Sequence, residues 1–157
     1  GTAATIVGAM DVDTADFPLV DELTAPEGTQ SADAHLVDYA IQEMQSRGWQ
    51  RYLATVRERA GDIPDPVVRQ ITTTFEAECH GGDELRRGVR AVGRTRRSYS
   101  LEVALWNVAS GARVATSNVV MTGIDRATGK AAEIPTSLWD AVEAFEGRTV
   151  PMVERPS

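Results

Sequence analysis

The sequence has little of several residue types, and each shortage excludes a kind of protein or site. Cys79 is the only cysteine among the 157 residues, so an internal disulfide and a cysteine-based zinc site are both excluded. Only two histidines are present, and no group of His, Asp and Glu has the spacing of metal ligands, so no metal site is predicted. Because disulfides are typical of small secreted domains, the lone cysteine favours a cytoplasmic protein.

Long apolar runs and positive charge are also scarce. No apolar run approaches the ~20 residues that span a bilayer, and residues 1–17 lack the basic start and apolar core of a signal peptide. No membrane insertion is therefore expected. The chain has 16 Lys and Arg residues and 23 Asp and Glu residues, which gives a net charge of −7. Such a surface repels nucleic acid over most of its area, so nucleic acid is not an expected partner.

The length and composition are those of one globular domain. Hydrophobic residues make up 42% of the chain and charged residues 25%, which is an ordinary balance, so residues 1–157 are predicted to form a single domain. Residues 1–30 are irregular in pattern, with Ile6–Val7 and Phe17–Val20 as alternative first strands. Residues 148–157 are predicted to form a loosely held tail.

Apolar residues at spacings of three and four predict a long helix, at Ala34, Val37, Ile41 and Met44. Ser31 or Asp33 would cap its start, because their side-chain oxygens accept from free backbone N–H groups. Gly48 would end or kink this helix, and a second short helix is predicted over residues 49–59.

After Pro66 the apolar period changes to two, which predicts strands. Short turns divide this region into four strands, predicted near residues 70–79, 85–93, 99–107 and 114–124. Strands joined by short turns favour an antiparallel meander. A final helix is predicted from Ser137 to Phe145, with Gly147 as its stop. The order of a long helix, a sheet and a short helix indicates an α+β fold.

Several short motifs, in this order and spacing, resemble the 4-hydroxybenzoyl-CoA thioesterase-like family of acyl-CoA thioesterases. They are Phe75–Glu78, Gly82–Leu85, Val92–Tyr99, Val114–Val120, Ile124–Lys130 and Ile134–Pro135. The resemblance implies a hotdog fold, in which a sheet of about five antiparallel strands wraps around a long central helix and a short C-terminal helix follows.

The resemblance also implies an activity, which is hydrolysis of an acyl-CoA thioester to a free acid and coenzyme A. In this family the substrate lies between two subunits, so a homodimer or homotetramer is expected. Backbone N–H groups at the start of the central helix polarise the thioester carbonyl, and an Asp or Glu serves as nucleophile or base. No cofactor is expected beyond the coenzyme A of the substrate itself.

The family's catalytic motif has no counterpart here. Its Asp-x-Asp-x-x-Gly-His-x-Asn-Asn-like stretch precedes the helix, and alignment of the helix places Thr29 where the catalytic Asp is expected. The candidate catalytic residues are therefore Asp33, His35 and Asp38, with Glu27 as a further carboxylate. For Asp33 a helix cap is the structural alternative. For His35 the alternative is a surface or subunit contact, and for Asp38 it is a salt bridge at a buried edge or a solvated side chain.

Six arginines within twelve residues reverse the sign of this acidic chain locally. Arg94, Arg96 and Arg97 are predicted to bind the phosphates of coenzyme A, because guanidinium groups suit phosphate oxygens. The alternative is that the cluster, which includes Arg86, Arg87 and Arg90, pairs with nearby Glu and Asp.

Two other functions remain open. The missing catalytic motif suits a hotdog protein that binds an acyl thioester or a small hydrophobic ligand without cleaving it. A hotdog hydratase or dehydratase ranks third, because the Asp-x-Asn-x-x-His-like site of such enzymes is not found. Cys79 shares the face of Ile71 and Phe75 and is predicted to lie in the core, and His80 is predicted to be a turn residue.

Overall fold

The computed structural model describes residues 14–28, 38–61 and 64–153. Its helices and strands follow one another as β1 (Leu19–Thr24), α1 (Asp38–Ala60), β2 (Asp65–Phe75), β3 (Glu84–Arg94), β4 (Ser98–Asn107), β5 (Arg113–Ile124) and α2 (Thr136–Glu146). The predicted α+β class and the predicted order of a long helix, a sheet and a short helix are confirmed. In the described ranges, no helix is both long and apolar enough to cross a bilayer.

The five strands form one antiparallel sheet in the order β1-β3-β4-β5-β2. Strands β3, β4 and β5 form the predicted meander, but β2 pairs with β5, so a four-strand meander that begins with β2 is wrong. The burial of the strands explains the difference. Residues of β3 and β4 are mostly buried and occupy the centre, whereas the Thr-rich β2 is mostly exposed and forms an edge.

Helix α1 lies on one face of the sheet, mainly against β3 and β4. It continues through Gly48, so the predicted stop there and the separate second helix are both wrong. A Cβ atom at Gly48 would lie 2.8 Å from Cδ of Arg87 and 3.2 Å from Cγ1 of Val103. Glycine at this position therefore allows the helix to approach the sheet closely and does not end the helix. The helix ends at Gly61 (φ 78°), whose N–H donates to Arg57 O at 3.1 Å.

The core under α1 consists of two apolar clusters. The larger one surrounds Tyr52 and Val56 in the second half of α1 and includes the buried face of α2. The smaller one surrounds Ile41 and Met44 in the first half of α1 and includes Cys79, as predicted. Each half of the helix thus buries its own set of apolar side chains.

The outer face of the sheet is covered in part by the segment before β1. Phe17 packs edge to face on Trp106, with ring centroids 5.2 Å apart, and the guanidinium of Arg90 lies 4.5 Å from the Phe17 ring centroid. Strand β1 follows directly. Of the two predicted first strands, the one at 17–20 overlaps β1, and Ile6–Val7 lies outside the described residues.

The C-terminal segment is anchored as far as it is described, in contrast to the loosely held tail that the sequence predicts. The N–H of Arg94 donates to Pro151 O at 3.1 Å, and the N–H of Val153 donates to Arg94 O at 2.8 Å. Val150 is buried in the larger cluster. These backbone bonds add a short parallel contact to the end of β3.

Candidate active site

A cleft of about 440 Å³ opens between the start of α1 and the end of β2. Asp38 and Ile41 line it from the helix, Phe75 lines it from the strand, and residues 76–79 close it from the following segment. Its lining combines apolar side chains with the exposed carboxylates of Asp38, Glu76 and Glu78. A few polar groups around an apolar concavity are typical of a small-molecule site.

The segment after β2 takes its shape from a local irregularity of the sheet. The N–H groups of Glu76 and Ala77 both donate to Val114 O, at 2.8 and 3.3 Å, so two residues here oppose one on β5. The carboxylate of Glu76 accepts from Oγ1 of Thr116 at 2.6 Å. Glu76 is thus held by β5, whereas no partner for the Asp38 carboxylate lies among the described residues.

The candidate catalytic residues have different outcomes. Asp38 lies at the cleft, and Asp33 and His35 lie outside the described residues, as does Thr29. Glu27 lies beside Gly82 and does not line the cleft. Sequence reasoning did not select Glu76 and Glu78 as site residues. The alternation that predicted Cys79 to be buried placed these two glutamates on the opposite face of the strand, away from the core.

Cys79 lines the cleft but is not suited to act as a nucleophile. Burial, aided by the nearby charge of Asp83, raises the pKa of the Cys79 thiol to about 11. A thiol with that pKa stays protonated near neutral pH, and the thiolate is the reactive form. The backbone N–H of His80 donates to Oδ2 of Asp83 at 2.8 Å, which confirms that His80 belongs to the turn before β3.

Three of the six clustered arginines are structural. Arg86 pairs with Glu22 at 2.6 Å and Arg90 with Glu102 at 2.8 Å. Arg87 is buried, pairs with Asp21 and donates to Met44 O at 2.6 Å, which ties β1, β3 and α1 together. For these three, the alternative that they pair with nearby acidic groups is correct.

The predicted phosphate-binding arginines lie at the turn between β3 and β4. Arg94 is largely buried, with its guanidinium 5.1 Å from the Trp139 ring centroid and 3.8 Å from the Glu143 carboxylate, so it braces α2. Arg96 is exposed and lies 3.5 Å from Glu133, and Arg97 is exposed. Because β3 has 11 residues, this turn and the cleft lie at opposite ends of one subunit, roughly 30 Å apart at ~3.3 Å per residue.

A second cleft, of about 500 Å³, lies near the other end of α1. Trp49, Leu53 and Arg57 line it from the helix, and Pro66 lines it from the start of β2. Both clefts therefore lie along the same gap between α1 and β2. Within the described ranges, no group of His, Cys, Asp and Glu is arranged to hold a metal ion.

Comparisons with known proteins agree with this architecture. Residues 33–142 match the family model of the thioesterase-like superfamily. A search of curated proteins found no match. Among solved structures, a thioesterase from Thermus thermophilus, complexed with coenzyme A and zinc, has a TM-score of 0.74 at 20% identity, over 87% of this chain and 99% of its own.

Two further solved structures show the same fold. A 1,4-dihydroxy-2-naphthoyl-CoA thioesterase from Synechocystis has a TM-score of 0.67 at 14% identity and covers 78% of this chain and 93% of its own. A probable thioesterase from Escherichia coli has a TM-score of 0.66 at 16% identity and covers 81% of this chain and 98% of its own. These likenesses confirm the predicted hotdog fold.

Proposed function

The chain belongs to the thioesterase-like superfamily, and on this basis we propose that it hydrolyses acyl-CoA thioesters to a free acid and coenzyme A. The observation that carries the proposal is the apolar cleft at the start of α1 with Asp38 beside it. A thioester carbonyl placed there would lie near the positive end of the helix dipole, and a carboxylate would be within reach.

In the proposed reaction Asp38 acts as a general base. Its carboxylate takes a proton from water while the water oxygen bonds to the thioester carbonyl carbon. The negative charge that develops on the carbonyl oxygen is stabilised at the helix start. The C–S bond then breaks, and the coenzyme A sulfur leaves as a thiolate that is protonated afterwards. Asp33 and His35 remain proposed for the same task, and no cofactor is needed for these steps.

We further propose that the working unit is a homodimer joined along β2. Among the residues that the structure describes, this strand pairs with β5 alone, and no described strand lies on its other edge. On the side that faces α1, Ile71 and Phe75 are 40% and 49% exposed. A long edge strand with exposed apolar side chains is a ready site for association. Antiparallel pairing of two β2 edges would extend the sheet and cover these side chains.

In such a dimer, the turn between β3 and β4 of one subunit lies near the first cleft of the other subunit. Antiparallel pairing sets the end of one β2 beside the start of the other. The turn between β3 and β4 lies at the end of the sheet where β2 starts, since the N–H of Gly123 donates to Arg97 O and Gly123 pairs with Pro66. The exposed Arg96 and Arg97 of one subunit would therefore serve the coenzyme A phosphates at the cleft of the other.

One observation favours a different function. Thr29 stands where the family resemblance expects the catalytic Asp, which would suit a protein that binds acyl thioesters without cleaving them. Thiol release from a panel of acyl-CoA substrates tests both possibilities, with thermal shift by the same compounds measured in parallel. Hydrolysis is expected. A rise in melting temperature without thiol release would replace the hydrolase with the binder.

A further inference from the structure

The gap between α1 and β2 is divided by polar side chains. We call Gln42, Gln45, Thr73 and Ser117 the polar belt. Oγ1 of Thr73 donates to Oε1 of Gln42 at 2.7 Å and is 2.8 Å from Oγ of Ser117. Nε2 of Gln45 donates to Val103 O at 3.0 Å. The belt thus joins α1 to β2, β4 and β5.

The inner half of the belt lies within the core, where polar groups are costly, because Ser117 is 0% exposed and Gln45 is 1% exposed. Gln42 and Thr73 form its half-buried outer part. Oε1 of Gln45 has no partner among the described residues. An unpaired buried oxygen destabilises a fold, so apolar side chains would serve packing alone better. The belt also separates the apolar cluster around Ile41 from the one around Tyr52. Packing alone therefore does not explain the belt.

The belt stands between the two clefts. Gln42 follows Ile41 and is one helical turn from Asp38, and both Ile41 and Asp38 line the first cleft. Thr73 is two residues before Phe75 and points to the same face of β2. The second cleft begins beyond the belt, at Trp49. A chain that enters beside Asp38 and runs along α1 therefore meets the Gln42–Thr73 hydrogen bond first.

We propose that Gln42 and Thr73 form the inner wall of the acyl-binding cleft and set the longest acyl group that the protein accepts. The inference rests on the proposed function, because it assigns the first cleft to the acyl group. From Asp38 to Gln42 the helix rises by about 6 Å at 1.5 Å per residue. An extended chain advances ~1.2 Å per bond, so an acyl group of about six carbons, or a single ring, reaches the wall.

Longer acyl groups would have to break the wall to reach the second cleft. The wild-type protein is expected to gain roughly fourfold in affinity for each CH₂ up to about six carbons, and nothing or a loss beyond that length. If the wall is removed, affinity should continue to increase with acyl length beyond six carbons, because the second cleft offers apolar lining from Trp49 and Leu53. Length dependence is thus the property that the wall controls.

The test compares two substitutions at one position. Gln42→Ala removes the wall, whereas Gln42→Met keeps its length without the hydrogen bond, and both residues are good helix formers. Affinities for acyl-CoA of two to twelve carbons are measured by calorimetry, and kcat/KM is measured by thiol release. Gln42→Ala is expected to favour the ten-carbon over the six-carbon substrate by at least roughly tenfold relative to wild type, and Gln42→Met is expected to keep the wild-type profile.

Substitutions on β2 give an independent check. Thr73→Ala opens the wall from the strand side, and Thr74→Ala, on the opposite face of the same strand, is the matched control. An unchanged length profile in Gln42→Ala and Thr73→Ala, with both variants folded, would overturn the wall. The proposal of a wall would also be overturned if the wild-type protein binds a twelve-carbon acyl-CoA more tightly than a six-carbon acyl-CoA. Without thiol release the hydrolase proposal fails, but the binding profile still decides for or against the wall.

Discussion

At the level of single residues, the carboxylates around the first cleft differ in how they are held. Glu76 is tied to Thr116, whereas Asp38 has no partner among the described residues and lines the cleft together with Ile41 and Phe75. A base needs free lone pairs at the reacting atoms, so a carboxylate already bound to the protein is less suited to the task. This difference favours Asp38 over Glu76 as the group that activates water.

The substitution Asp38→Asn tests this assignment directly. Asn keeps the size of the side chain and removes the charge, so kcat should fall by roughly 10²–10⁴-fold. The free energy of unfolding should change by less than about 0.5 kcal/mol, as is usual for surface sites. Thiol release and thermal melts measure the two effects.

Three comparison variants complete the experiment on Asp38. Glu43→Gln removes another exposed carboxylate of the same helix, one that pairs with Arg47, and should keep full activity. Asp33→Asn and His35→Gln show whether either of those residues carries the reaction instead. Full activity in Asp38→Asn together with a large loss in Asp33→Asn would move the role of base to Asp33.

Sequence reasoning reached part of this site. The resemblance to acyl-CoA thioesterases directed attention to the start of the helix, and Asp38 does line the cleft there. Glu76 and Glu78, which alternation assigns to the opposite face, line the cleft where the sheet irregularity at Val114 turns the chain after β2, and residue spacing alone does not reveal such an irregularity. Arg94 was grouped with Arg96 and Arg97 by proximity in sequence, but Trp139 and Glu143, which hold it, come from a distant helix.

At the level of helices and strands, Gly48 shows how packing overrides a local signal. Glycine after an apolar period is a common helix stop, but here the helix passes over Arg87 too closely for any side chain. Local sequence patterns also do not contain the packing that decides which strands pair, so the strands were easier to predict than their pairing. Alternation identified β3, β4 and β5, whereas the pairing of β2 with β5 depends on which strands are buried on both faces.

Gly48→Ala is therefore expected to destabilise the protein. The added Cβ would lie 2.8 Å from Cδ of Arg87, a side chain that Asp21 and Met44 O hold in place. Overpacking of this kind costs about 1–3 kcal/mol and outweighs the gain of at most ~1 kcal/mol in helix propensity. Urea unfolding measures the change, with Gln50→Ala on the exposed side of the same helix as control. Equal or greater stability in Gly48→Ala would mean that Arg87 yields without cost.

At the level of the whole molecule, the open edge of β2 predicts a dimer whose loss should also lower activity. Ile71→Lys places a charge among the side chains that the partner would cover, and should weaken the dimer by roughly 10²-fold. Val20→Lys is the matched control, because Val20 is similarly exposed, at 37%, on the other edge strand. Sedimentation velocity at micromolar concentration measures both. A monomeric wild type, or equal effects of the two substitutions, would reject the β2 interface.

The dimer also predicts that each complete site uses residues of two subunits. Arg96→Ala with Arg97→Ala should raise KM for acyl-CoA roughly tenfold or more, because charge-assisted hydrogen bonds to phosphate are lost. Arg94 is left unchanged in this variant because it braces α2. A short pantetheine thioester, which lacks the nucleotide phosphates, should be hydrolysed as by the wild type. If the variant loses the same amount of activity towards acyl-CoA and towards the pantetheine thioester, the role of the turn is structural.

Mixing the two kinds of defective subunit decides whether the arginines act across the interface. In a dimer of one Asp38→Asn subunit and one Arg96→Ala, Arg97→Ala subunit, the second subunit keeps its base and faces the intact arginine turn of the first. One of its two sites is then complete. A mixture refolded at equal concentrations should recover about a quarter of wild-type activity at limiting acyl-CoA, if subunits pair at random. If each turn serves the cleft of its own subunit, no complete site forms and the mixture shows only the average activity of the two parent variants.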